Sequence, residues 1–365
     1  MLNGIKIIEI EGIGPGPFAG MMLADMGADV IVVQREKPPI PMMPKKDILN
    51  RGKRTLVLDL KSQDDIKKLK QLVKSADGLI EGFRPGVMER LGLGPEELQK
   101  ENEKLVYGRM TGWGQYGVKS QDAGHDLNYI ALSGALWYAS PPDQAPFTPP
   151  TMLGDVGGGA LYLVSGVLAG LLNAKRTGKG TVVDAAIVDG SAHMMNLLMS
   201  TKSVGALNAT RGHSLLDGPH WSRCYRCADE QWLSVQSLEP HFYQIFLEKL
   251  ALEKDEEFLQ QNNPKLWPKL SRRLEAIFSS QSIEHWNSVF DGSDACVAPV
   301  QEPSVAMQNE HIKQRGIWIK SEGQLQAAPA PRFSSNDSPR ELAVPSRGQH
   351  TEDILSSLEE MDSSL

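Results

Sequence analysis

Cysteine is scarce in this chain, with Cys224, Cys227 and Cys296 the only three in 365 residues. Three thiols cannot build a disulfide framework, which excludes a small stapled secreted scaffold and makes a reducing cytoplasm the expected compartment. Cys224-x-x-Cys227 has the spacing of half a zinc site, but no second Cys or His pair follows at ligand spacing, so no metal is expected. An excess of positive charge is also missing. Lys and Arg number 38 against 45 Asp and Glu, a net charge of −7, whereas nucleic acid and anionic membrane surfaces call for a positive field. Neither is an expected partner, and an anionic ligand has to be held by a local basic cluster. No basic segment leads into an apolar run ahead of Gly4-Ile5-Lys6-Ile7-Ile8-Glu9, so no secretory signal is expected. The uncharged stretch Val156 to Ala174 approaches the roughly 20 residues of a membrane span. It carries Gly157, Gly158, Gly159, Gly166 and Gly170, which favours a helix buried in a soluble core, close-packed through its small residues.

What is present is an ordinary globular balance, 41% apolar and 23% charged, with length enough for one large domain or two. Residues 5–10 have the pattern of a buried strand, 17–27 of a helix starting at Pro17, and 28–33 of a second buried strand, a βαβ unit. The alternation continues with strands at 55–60, 78–81 and 105–107 and a helix over 64–73, its lysines outward. Such alternation predicts an α/β domain of Rossmann-like character, its mainly parallel sheet covered on both faces. Apolar helices are expected over 125–140 and about 158–175, separated by the proline-rich loop 141–150, and a strand over 181–185. Beyond residue 205 the texture changes. A hairpin over 226–235 turning at Asp229-Glu230, helices near 240–250, 266–278 and 282–290 and a strand at 295–298 predict a smaller α+β unit. The expected division is a large domain of 1–205 and 325–365 and a small domain of 220–322. Ala327 to Arg332 has the composition of an extended return linker, and the Ser/Pro/Glu-rich end that of a polar tail.

Three constellations could carry chemistry. Gly14-Pro15-Gly16-Pro17-Phe18-Ala19 fits the dinucleotide fingerprint G-x-G-x-x-A. Pro15 and Pro17, however, remove two of the backbone N–H groups that a pyrophosphate cradle presents, which favours a tight strand-to-helix turn. Positive charge gathers at Lys45-Lys46 and Arg51-Gly52-Lys53-Arg54, then Lys61, with Arg84 and Arg90 flanking Pro85-Gly86. These are either solvated loops or, for Arg35, Arg84 and Arg90, guanidinium groups that pair with phosphate. Finally, Gly124-His125-Asp126-Leu127-Asn128-Tyr129 and Gly154-Asp155-Val156-Gly157-Gly158-Gly159 each set an ionisable group at a helix start. The helix dipole there favours a carboxylate at Asp155 and a neutral imidazole, the basic form, at His125. Backbone N–H groups of Val156, Gly157 and Gly158 are candidates to stabilise an oxyanion. The plainer reading is an N-cap aspartate and a core histidine.

Taken together, Gly14 to Ala19, Leu23-Ala24-Asp25-Met26-Gly27-Ala28-Asp29-Val30, Gly82-Phe83-Arg84-Pro85-Gly86-Val87, Met110-Thr111-Gly112-Trp113-Gly114-Gln115 and Thr177-Gly178-Lys179-Gly180 resemble the family III CoA-transferases (CaiB/BaiF type) over almost the whole chain. Gly124 to Tyr129 resembles the α-methylacyl-CoA racemase branch, an isomerase of fatty acid metabolism; the transferases usually carry an aromatic residue at the position of His125. The resemblance implies an interlocked homodimer whose active site lies between the large domain of one chain and the small domain of the other, with the C-terminal segment returning to the large domain. It makes His125 and Asp155 the acid/base residues, with Glu239 approaching from the partner chain. It assigns CoA to Arg35, Leu58, Asp59, Leu60, Lys61, Arg84, Arg90, Gly124, Asp126, Leu127, Asn128 and Tyr129. CoA would arrive as part of the thioester, with no separate cofactor.

The chemistry agrees with those residue types. Inverting a carbon α to a thioester takes a proton from one face and returns one to the other, so two groups in opposite protonation states must flank it. The expected activity is therefore racemisation of 2-methylacyl-CoA thioesters. The alternatives are a CoA-transferase in which Asp155 attacks the thioester to form an acyl anhydride, and a CoA-binding paralogue without turnover. Two stretches depart from the racemase pattern, Thr151-Met152-Leu153 in place of an Asn-Leu pair and Asp217-Gly218-Pro219-His220-Trp221-Ser222 in place of Asp-Gly-Gly-Ala-Pro-aromatic. Both bear on the acyl group more than on CoA.

Overall fold

Apolar runs buried on both faces make the strands of the first sheet, and a computed structural model describes them among residues 1–38, 44–334 and 343–363. In chain order they are β1 (Lys6–Ile10), β2 (Asp29–Gln34), β3 (Arg54–Val57), β4 (Gly78–Glu81), β5 (Val106–Thr111) and β6 (Val182–Ala186). All pair in parallel, in the order β3-β2-β1-β4-β5-β6. Alternation along each strand sorts side chains between two cores. Ile8, Ile10, Ile31, Val33 and Leu56 enter one, and Ile7, Val30, Ile80 and Val106 the other.

The crossovers follow their sequence signals. α1 (Pro15–Asp25) begins at a proline, with Gly14 before it at φ +69°. α2 (Gln63–Lys74) is capped by Ser62, carries Asp64 and Asp65 in its first turn and Lys74 in its last, and buries Ile66, Leu69, Leu72 and Val73. α3 (Val87–Arg90) and α4 (Pro95–Glu101) link β4 to β5. α5 (Asp126–Leu132) is half the length its apolar pattern predicts, because Gly134 turns the chain at φ +87°. The long apolar stretch becomes a π-helical segment, Met152–Ala160, running straight into α6 (Leu161–Thr177), and α7 (Ile187–Met194) follows β6.

α6 is buried on one face only, which corrects the expectation of a fully buried helix. Leu163, Val164, Val167, Gly170 and Ala174 face the sheet, while Leu172 is 72% exposed and Leu161 41%. The small residues do set its closeness to the strands. A β-carbon on Gly166 would stand 2.5 Å from Val183 Cγ1, and one on Gly170 2.7 Å from Val106 Cγ1. Met152–Thr177 is long and apolar enough to cross a membrane by length and composition, with 39% of its most apolar window buried in the fold.

The polar tail is in part a helix. Residues 346–351 run along the open edge of β3, where His350 N–H donates to Thr55 O (2.9 Å), Thr55 N–H to His350 Nδ1 (3.1 Å) and Val57 N–H to Thr351 Oγ1 (3.0 Å). The helix Thr351–Ser363 then buries Ile354 and Leu358 against the first core. The part of that tail over 335–342 lies outside the described residues.

Two compact units result. The first comprises Met1–Ala135, Pro149–Met194 and Ile319–Leu365, the second Leu136–Thr148 and Met195–Trp318. Taken by itself, the second holds a one-turn helix, α8 (Asn196–Met199), and an antiparallel sheet of β7 (Ser222–Arg226), β8 (Trp232–Gln236) and β9 (Val297–Val300). The hairpin turn carries Glu230 at φ +66°. Over the sheet lie α9 (Pro240–Lys249), α10 (Trp267–Phe278) and α11 (Ile283–Phe290). Its core is aromatic, built on Trp221, Tyr225, Phe246, Phe258, Phe278 and Trp286.

Candidate active site

The strand order reverses direction at β1 and β4, so the segments leaving their carboxyl ends part and open a crevice. A cleft of about 480 Å³ lies there, lined by Glu11 to Pro17 after β1, Arg35 after β2, Gly82 to Arg84 after β4, and Thr111 and Gly112 at the end of β5. Gly124, His125, Tyr129 and Asp155 complete it. A smaller recess beside it, about 200 Å³, shares Arg84, His125 and Tyr129 and adds Trp113 and Asp122.

His125 and Asp155, far apart in the chain, thus meet in one cavity. His125 is the N-cap of α5 in extended backbone, with its N–H donating to Asn128 Oδ1 at 3.0 Å. Its position is held from behind by aromatic packing. Tyr129 stacks edge-on against Trp113 at 4.8 Å and donates its hydroxyl to Gly124 O, a close approach that a β-carbon at Gly112 or Gly124 would block. Asp155 sits in the first turn of the π-helical segment, a wide turn of the kind often found at functional sites. Its N–H donates to the buried Asp126 Oδ1 at 2.8 Å, and its carboxylate lies against Gly14, where a β-carbon would be 3.4 Å from Oδ2.

The helix-dipole argument predicts a stabilised carboxylate at Asp155, and the folded chain reverses it. Burial, reinforced by the neighbouring Asp126 charge and opposed by His125, pushes the Asp155 carboxyl up to about 6. Desolvation outweighs the dipole because, among the described residues, no Lys or Arg pairs with this carboxylate and no hydrogen bond is donated to it, leaving only the charge of His125 to oppose it. A carboxyl group poised near 6 beside an imidazole is what proton exchange near neutrality needs.

The basic residues divide sharply. Arg35 and Arg84 line the cleft and are exposed. Arg90 is also exposed but lies outside the cleft lining, its guanidinium folded toward Gly86. The run Arg51-Gly52-Lys53-Arg54 is not a solvated loop. It leads into β3 and is consumed in ion pairs, Arg51 with Asp25 (2.6 Å), Arg54 with Asp29 (2.5 Å) and buried Lys53 with buried Glu9 (2.6 Å). Burial drives Glu9 up to about 6 and Lys53 downward. Lys46 pairs with Glu322 at 2.5 Å.

Leu58 to Lys61 follow β3 outside the cleft. Leu58 is buried in the core, and Asp59 accepts from the Lys61 N–H while donating its own N–H to Asp65. Leu127 and Asn128 are exposed on α5. The oxyanion expectation needs correction. Val156 N–H donates to Thr151 O at 3.0 Å, and the π-helical ladder takes up the N–H groups of Gly157 and Gly158 in the same way. Gly158 is further closed off by Ser191, whose Oγ a β-carbon there would meet at 2.4 Å. Glu239 belongs to the second unit, exposed at the N-cap of α9. Sequence reasoning missed Glu11, Gly12 and Ile13 as cleft lining, whose only signal is the strand-end position after β1.

A doubly wound parallel sheet with an arginine-rimmed crevice at its switch point, holding an imidazole and a proton-ready carboxyl, defines an α/β protein with a small-molecule site between two of its strand ends. The chain belongs to the CoA-transferase family III, whose model matches residues 2–351. It is 40% identical to the alpha-methylacyl-CoA racemase of Homo sapiens over 360 residues, covering 97% of this chain and 92% of that protein. It is 28% identical to the acetyl-CoA:oxalate CoA-transferase of Acetobacter aceti over 361 residues, 93% of this chain and 90% of that one. The crystal structure of a CAIB/BAIF family protein from Brucella suis superimposes with a TM-score of 0.83 over 98% of both chains, and at 24% identity it shares the fold.

Proposed function

We propose that the protein is an isomerase that racemises 2-methylacyl-CoA thioesters by proton transfer at C2. The observation that carries this reading is the meeting of His125 with a carboxyl raised to about 6 in a cleft rimmed by Arg35 and Arg84. The 40% identity to a racemase, against 28% to a transferase, supports it. One group, as free base, takes the C2 proton; the C–H electron pair moves into the C1–C2 bond and the thioester π electrons onto oxygen. The other group, as acid, returns a proton to the opposite face, and the oxygen electrons restore the thioester. With the Val156 to Gly158 donors spent, the developing negative charge faces the amino ends of α1 and of the Met152–Thr177 helix, which reach the cleft through Gly14 to Pro17 and Asp155. Arg35 and Arg84 take the phosphates of CoA, and no cofactor beyond the thioester is used.

The protein acts as a homodimer in this reading. Support comes from the uncovered apolar face of α6 and from exposed Leu197 (76%) and Val204 (79%), and Glu239 would then come from the partner. A reducing compartment suits three cysteines that are all free. Incubated in D2O with one epimer of a 2-methylacyl-CoA and no acceptor acid, the protein should incorporate deuterium at C2 and form the other epimer. Transfer of CoA to an added carboxylic acid with no deuterium at C2 would replace this reading with the anhydride mechanism.

A further inference from the structure

We infer that Arg347, on the returning C-terminal segment, is a positioning residue for Arg35 and so for recognition of the CoA phosphates, an inference that rests on the reading of Arg35 just given. Arg35 stands one residue past the end of β2, where the sheet ladder no longer fixes the backbone. A single ion pair takes over that task. Arg347 Nη1 donates to Arg35 O at 2.7 Å and Nη2 to Glu11 Oε1 at 2.6 Å, while the Arg35 N–H donates to Glu11 Oε2 at 3.2 Å. Both backbone polar groups of Arg35 are therefore held by the Arg347–Glu11 pair, leaving its own guanidinium exposed at the cleft.

Charge gives a second reason. Glu11 lines a cleft whose ligand would be anionic, and its carboxylate would repel that ligand were it not neutralised by Arg347. Docking of the segment does not depend on this side chain. Gly348 N–H donates to Gln34 Oε1 (3.0 Å), Thr55 Oγ1 to Ser346 O (2.9 Å) and His350 N–H to Thr55 O (2.9 Å), and Ile354 and Leu358 are buried beyond them. Removing the guanidinium should leave the segment in place and release Arg35.

The test is calorimetric and needs no turnover, using the full chain with free CoA and with pantetheine, which lacks the phosphates. Arg347→Ala should weaken CoA about 5- to 20-fold, the scale of a lost charge-assisted hydrogen bond, with pantetheine unchanged. With acyl-CoA the loss should appear in KM and not in kcat. Arg347→Lys, which neutralises Glu11 but cannot hold two acceptors in a fork, should fall between, and it carries the test should the alanine variant not fold. In an Arg35→Ala background the effect of Arg347→Ala should shrink to what the uncovered Glu11 charge alone costs, about twofold. Equal losses for CoA and pantetheine would mean a merely structural role and overturn the inference. So would parental CoA affinity in Arg347→Ala or Arg347→Lys while Arg35→Ala is weakened, and the phosphate reading would then stand. Were Arg35→Ala itself to bind CoA like the parent, the phosphate reading would fall and take this inference with it.

Discussion

The two ends of the cleft are built on opposite principles. Around Arg35 the carboxylate of Glu11 is saturated, accepting from the Arg35 N–H and from Arg347, and the surrounding backbone is tied to Gln34 and β3. Around Asp155 the backbone is equally fixed, through Asp126, but among the described residues no guanidinium or ammonium pairs with the carboxyl group, and it is pushed up to about 6. On the function proposed above, one end binds an anion rigidly and the other holds a proton loosely. Burial alone does not separate them, since Glu11 is the more buried carboxylate; what separates them is whether a guanidinium was supplied.

The largest effect expected from breaking this contrast is at the loose end. His125→Ala and Asp155→Ala should each slow epimerisation by about 10²- to 10⁴-fold, the range for a lost general acid or base, with CoA affinity retained. Proton NMR in D2O would show exchange lost from one epimer in each variant, and a variant that still epimerises at the parental rate would remove its residue from the reaction. At the rigid end the effect is smaller and of another kind. Arg35→Ala and Arg84→Ala should each cost about 1.5–3 kcal/mol of CoA affinity as lost hydrogen bonds between charged groups, read by calorimetry, with kcat largely kept.

The smallest effect sharpens the contrast most. Because the folded carboxyl of Asp155 titrates near 6 and its unfolded counterpart near 3.8, the folded chain binds the extra proton between those values. Stability is therefore lost as pH rises through that window and stays lost above it. Asp155→Asn cannot titrate, so it should melt no differently from the parent at pH 4 and higher at pH 7.5. Solvent on the open side of the cleft limits the gain to about 1 kcal/mol, some 1–3 °C in calorimetry. Equal melting at pH 7.5 would show that the carboxyl is not raised.

The boundaries of β1, β2, β4 and α2 were legible to within a residue because they rest on local signals: apolar runs for the strands, and Ser62 with an acidic first turn for α2. Arg35, Arg84, His125 and Asp155, which line the cleft, were legible as candidates through motifs that sit at strand ends and helix starts. The errors at the site have two causes, one distant and one local. Arg51, Lys53 and Arg54 look like a ligand surface in sequence, yet their partners Asp25, Glu9 and Asp29 lie 25 or more residues away. Val156, Gly157 and Gly158 look like free donors until the helix is seen to start at Met152 with π-type bonds.

By itself the sequence determined the α/β alternation, the two textures of the chain and the kinds of side chain available for chemistry, since propensity, periodicity and caps act over a few residues. Only the tertiary structure decided which charges were consumed and which left over. It paired the basic run leading into β3 with distant acids, brought residue 347 back to neutralise Glu11, and left Asp155 half-buried beside Asp126 with no Lys or Arg partner among the described residues. Ionisation is set by desolvation and by charges brought within a few ångströms, and those distances exist only once the chain has closed on itself.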